Sequence, residues 1–117
     1  MLLLPLLALA ASWSDGQAQV VLKQTKASIT RSQGTTARIQ CAVEGISNFQ
    51  STYIHWYRQL PSQAPQRILY IGADPAIYDD SSYSNKYSSL KQDKNVCVFL
   101  VNDISSNDEG TYYCACW

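Results

Sequence analysis

Asp108-Glu109-Gly110-Thr111-Tyr112-Tyr113-Cys114 is the stretch that decides the fold of this 117-residue chain. Gly110 permits a tight turn. The residues after it alternate as a strand does, so Tyr112 and Cys114 share one face and Tyr113 takes the other. A tyrosine two positions ahead of a cysteine suits a buried corner. Its ring fills core space and its hydroxyl reaches back to nearby backbone.

Upstream, Ala37-Arg38-Ile39-Gln40-Cys41-Ala42-Val43-Glu44 alternates apolar and polar without a break. That pattern predicts a half-buried strand with Ala37, Ile39, Cys41 and Val43 inside. In Ile54-His55-Trp56-Tyr57-Arg58-Gln59, Ile54 and Trp56 share one face; His55, Tyr57 and Gln59 share the other. Pro61 and Pro65 then break the strand, because proline fixes φ and removes a donor. Further strands are predicted at 67–71, 86–90 and 95–101. In the last of these Cys97, Phe99 and Val101 face inward, which leaves Val96, Val98 and Leu100 on an exposed apolar face, an aggregation hazard. Residues 20–22 and 27–30 read as one interrupted edge strand. Residues 32–35 and 104–107 read as turns, and 45–53 and 72–84 as polar loops. Short apolar stretches separated by turn residues mark the chain as all-β.

One domain fits this length. Nine acidic and nine basic side chains balance, which points away from nucleic acid and polyanions. Residues 1–11 form an apolar run too short to span a bilayer, which takes roughly 20 residues. With the small residues at Gly16-Gln17-Ala18 it reads as a secretory signal, giving a signal peptide at 1–18 and a domain at 19–117, with cuts after Ala11 or Ser14 as the alternatives. Four cysteines in a secreted chain imply disulfide bonding, and three complete pairings are open. A bridge between Cys41 and Cys114 would close a long loop, worth roughly 4 kcal/mol in the chain-entropy model. A tryptophan beside it, Trp56, would fill the gap between two sheets.

Cys41, Trp56 and Tyr112-x-Cys114 together resemble the core of an immunoglobulin sandwich. The length between Cys41 and Tyr70 leaves room for the extra strands of the variable type. Within that superfamily the chain resembles a T-cell receptor gamma variable segment over 19–117. His55-Trp56-Tyr57, Ala64-Pro65-Gln66-Arg67-Ile68-Leu69-Tyr70, Lys86-Tyr87 and Tyr112-Tyr113-Cys114-Ala115-Cys116-Trp117 carry the likeness. It implies an all-β, two-sheet V-type sandwich that lacks most or all of strand G, the strand a joining segment supplies. It also implies a Cys41–Cys114 disulfide, with Trp56 and Tyr112 in the core. Cys97 reads as a core thiol and Cys116 as an unpaired one.

The resemblance further implies a function in adaptive immunity: antigen recognition as a receptor gamma chain, on the extracellular side of the plasma membrane, anchored by other segments. Signalling subunits would be reached only through those segments. A delta-chain variable domain is the implied partner, docked on Tyr57, Gln59, Pro65, Tyr113 and also Arg67. Flat aromatic and amide side chains opposite a core face suit that task. Ligand would be read by three loops carrying Asn48, Phe49, Gln50, Tyr53, Asp74, Tyr78, Cys116 and Trp117. A Lys86–Asp108 ion pair is expected where an arginine is commoner, without the bidentate geometry of arginine. An antibody light-chain segment and a V-set adhesion or coreceptor domain are the competing readings. Catalytic residues, cofactors and metals find no support. His55 has no partners for a relay, the cysteines lack zinc spacing, and no phosphate loop is present.

Overall fold

The computed structural model describes residues 20–25, 28–29 and 34–116. The expected signal at 1–18, parts of the first edge strand and first turn, and Trp117 lie outside the described residues. Two antiparallel sheets face each other. One runs β1 (Val21–Gln24), β3 (Ala37–Glu44), β8 (Val96–Val101), β7 (Tyr87–Gln92). The other runs β2 (Ser28–Ile29), β9 (Gly110–Cys116), β4 (Ile54–Gln59), β5 (Gln66–Ile71), β6 (Ile77–Tyr78). Among the described residues no helix is long and apolar enough to cross a membrane.

Alternation does what the sequence predicts in β3, where Ala37, Ile39, Cys41 and Val43 are all buried. Cys41 and Cys114 are joined across the sheets, their Cα atoms 6.4 Å apart. Trp56 lies fully buried and stacks on Phe99 at 4.9 Å. Phe99 also stacks on Tyr87 at 5.7 Å and tilts against Tyr112 at 5.9 Å, so four rings fill the space between the layers. The Tyr112 hydroxyl donates to Asp108 O at 2.7 Å, pinning the turn into β9. Asp108 itself is buried, and its carboxylate accepts from Ser105 N at 2.8 Å and Lys86 Nζ at 2.7 Å. The expected ion pair is therefore present, and the same lysine also donates to Asp103 O.

Three expectations need correction. The interrupted first strand is not one edge: β1 pairs with β3, while β2 pairs with β9 in the opposite sheet. Val98 is not exposed; it lies only 1% accessible between its cross-strand neighbours Gln40 and Leu90, whose longer side chains flank it. The 72–84 loop contains β6 and a 3-10 turn, Ser81–Asn85, started by Asp80 accepting from Ser82 N.

Gln24 performs an unusual task at the sheet edge. Its side-chain amide donates to Tyr112 O at 2.5 Å and accepts from Cys114 N at 3.1 Å. A primary amide has the same donor and acceptor as a peptide group, so it continues the β9 ladder where β2 ends.

Candidate functional site

Two surfaces follow from this frame: the outward face of β4, β5 and β9, and the loop end of the sandwich. On the first, strand register puts side chains in rows. His55 stands between Tyr70 and Ala115, and Tyr70 stands beside Ile77. Tyr57 stands between Arg67 and Tyr113. A bulge on β5 makes the second row possible. The register shifts between Trp56 and Tyr57, so Ile68 and Leu69 both turn inward and Arg67 faces out. Strict alternation would have sent Arg67 inward with Leu69.

Arg67 then organises its surroundings. Its Nε contacts both carboxylate oxygens of Asp79 at 2.9 and 3.1 Å. Its guanidinium lies 4.4 Å over the Tyr70 ring. Its Nη1 reaches His55 Nδ1 at 3.2 Å. Guanidinium can only donate, so Nδ1 accepts and the imidazole proton of neutral His55 is assigned to Nε2. The His55 ring is buried at 6% exposure and stacked on Tyr70. Burial, and then the Arg67 charge, push its pKa below the ordinary histidine value, with Asp79 pulling the other way. Of the expected docking residues, Tyr113 is 40% exposed, Pro65 is exposed, and Tyr57 and Gln59 are half-buried. The Gln59 amide is held by Gln63 O at 3.0 Å.

At the loop end, 45–53 contains a 3-10 turn, Phe49–Ser51. Asn48 O anchors it, accepting from Ser51 N at 3.2 Å, Thr52 N at 3.1 Å and Thr52 Oγ1 at 2.7 Å. Asn48, Gln50 and Tyr53 are exposed, as is Asp74 in the neighbouring loop. Phe49 and Tyr78 differ from expectation. Phe49 is buried at 4% exposure within the core cluster. Tyr78 pairs with Leu69 on the inward face and donates to Tyr87 O at 2.9 Å. Both rings support the loops from beneath, because each finds apolar contacts inside the sandwich. Gly72 packs under Tyr53, whose ring meets Tyr70 edge-on at 5.8 Å.

Cys97 and Cys116 are unpaired thiols. The Ser89 hydroxyl donates to Val98 O at 2.7 Å, so its 3.4 Å contact with Cys97 makes the thiol the donor. Burial pushes the Cys97 pKa up, which keeps it a thiol and fits the core role expected of it. Cys116 is half-buried against the core, and burial raises its pKa also. Among the described residues no group of three or more His, Cys, Asp and Glu side chains could hold a metal.

Sequence reasoning missed the His55–Arg67–Asp79–Tyr70 cluster and a lysine, Lys91, that reaches the first loop. Neither has a local signal, since each depends on register between strands.

Comparison with known proteins matches residues 24–117 to the immunoglobulin V-set domain family. A mouse T-cell receptor gamma chain V region is 31% identical, over 100% of this chain and 85% of its own length. Human T cell receptor gamma variable 3 is 33% identical, over 77% of this chain and 75% of its own. Human T cell receptor gamma variable 5 is 32% identical over the same shares. The sandwich, its sheet-to-sheet disulfide and these likenesses agree: the chain belongs to the immunoglobulin V-set family and is a T-cell receptor gamma variable region.

Proposed function

We propose that this domain recognises antigen as half of a receptor head. It pairs with a delta-chain variable domain through the outward face of β4, β5 and β9, and it reads ligand through 45–53, the loop after β5 and the segment after Cys114. The observation that carries the pairing is the Tyr57–Tyr113 row, with Tyr113 left 40% exposed on a face opposite the core. Aromatic side chains fixed on rigid strands are the usual anchors of an interface. Asn48, Gln50, Tyr53 and Asp74 give the loop end adaptable polar groups beside a supported aromatic ring. The gamma-chain relatives support placement on the extracellular side of the plasma membrane, as part of a membrane-anchored receptor.

Tyr113→Asp, co-expressed in the full gamma chain with a delta chain, tests the pairing. A charge buried without a partner at the centre of a contact should cut assembly by about tenfold or more. Gln50→Glu on the exposed first loop should leave assembly unchanged. Equal assembly of wild type and Tyr113→Asp would remove the proposed face from the interface.

A further inference from the structure

Lys91 lies on β7, a framework strand outside every loop. It stands opposite Cys97 on the inward side of its sheet. Its side chain runs to the loop end, and its ammonium donates to three backbone carbonyls: Phe49 O at 2.8 Å, Gln50 O at 3.0 Å and Thr52 O at 2.5 Å. An ammonium has three N–H groups, so every donor is spent on one short segment. The same nitrogen lies 5.0 Å from the centre of the Phe49 ring.

These carbonyls belong to a 3-10 turn and the residue that closes it, where backbone acceptors outnumber local donors. Of the two amides that close the turn, Ser51 N bonds Asn48 O, while Thr52 N is shared between Asn48 O and Phe49 O at 3.1 Å each, so Lys91 adds a second donor at Phe49 O. Hydrogen bonds from an ionised donor are about twice as strong as neutral ones. Burial is the main influence on the Lys91 pKa and depresses it. The lysine sits under the first loop.

We propose that Lys91 is a positioning residue for ligand recognition: from a framework strand it presets the shape of 45–53 through main-chain carbonyls alone. The inference rests on the reading of 45–53 as a ligand loop. Its logic is that shape and chemistry become separable. Lys91 holds the backbone and the Phe49 ring, while Asn48, Gln50 and Tyr53 remain exposed to make contacts. A loop fixed before encounter loses less conformational entropy on binding.

Amide hydrogen exchange on the assembled receptor ectodomain, without ligand, tests it. Lys91→Met keeps the apolar stem and removes all three donors. Exchange at Ser51 and Thr52 should then rise roughly tenfold or more. Amides of Ile39, Trp56 and Phe99 in the central strands should hold within about twofold. Lys91→Gln, which keeps two N–H groups without charge, is carried alongside, so failure of the methionine variant to assemble still leaves a reading. In either variant, loop protection equal to wild type overturns the proposal. So does acceleration of loop and strands together, which would mark a general loss of stability. Because the readout needs no ligand, such a failure leaves the recognition reading standing. Conversely, a loop that loosens as expected, yet makes no contact with any ligand the receptor binds, retires the recognition reading and keeps the clamp.

Discussion

His55 shows how much one residue's neighbours can decide. It lies on the outward face, where alternation puts it, yet its ring is covered by Tyr70 and tied to Arg67. The Arg67 bond requires a neutral acceptor, so the folded protein resists protonating this ring. In the unfolded chain its pKa returns to about 6.5. Below that value the unfolded state takes up the proton first, so stability is lost as pH falls from about 6.5 towards the lower folded value, and is complete above it. The urea midpoint should thus decline between pH 7.5 and pH 5, and the decline should shrink in His55→Gln. Asp80, held below the usual carboxylate range by Ser82, titrates beneath this window. Identical slopes for the two proteins would show that His55 does not contribute. The identities of the core residues Cys41, Trp56 and Tyr112 were legible from type and spacing. The burial of His55 and Phe49 and the inward turn of Tyr78 were not, because each depends on a contact from a distant strand.

At the scale of elements, strands with clean alternation were readable and their irregularities were not. β3 and β4 lie where their patterns predict. The bulge in β5 leaves no mark in Arg67-Ile68-Leu69, which reads equally well as a regular strand, yet it alone turns Arg67 outward. Val98 was misjudged for a related reason. Exposure on the outer face of a central strand is set by the lengths of side chains on its neighbours. The junction between β5 and the next loop offers a sharp test. A Cβ on Gly72 would come 2.6 Å from Tyr53 Cε1. Tyr53 is 51% exposed and can swing away. Gly72→Ala should therefore change stability by no more than about 1 kcal/mol, the lost ring contact being offset by reduced freedom in the unfolded chain. The Tyr53–Tyr70 edge contact should disappear from the spectrum of aromatic proton contacts. A drop well beyond that size would mean the ring is held more firmly than its exposure implies.

At the scale of the whole molecule, the disulfide and the ring cluster bind the two sheets to each other. Replacing Cys41 and Cys114 together with alanine should cost roughly 2–5 kcal/mol, read as a denaturant midpoint below wild type in oxidising buffer, and the gap should shrink where reductant opens the wild-type bond. A loss of equal size in strongly reducing buffer would assign it to the packing of the two sulfurs and not to the bond. The two-layer architecture itself was legible through the likeness that Cys41, Trp56 and Tyr112-x-Cys114 carry; alternation alone marked the chain only as all-β. The route of the first strand was not. β1 is fastened to one layer and β2, a few residues later, to the other. Tension on the N-terminal end therefore meets two ladders in series. The longer β1 ladder must yield before load reaches the short β2 pair, and Gln24 adds a further attachment between them. The domain is in this way laced shut where its first strand begins.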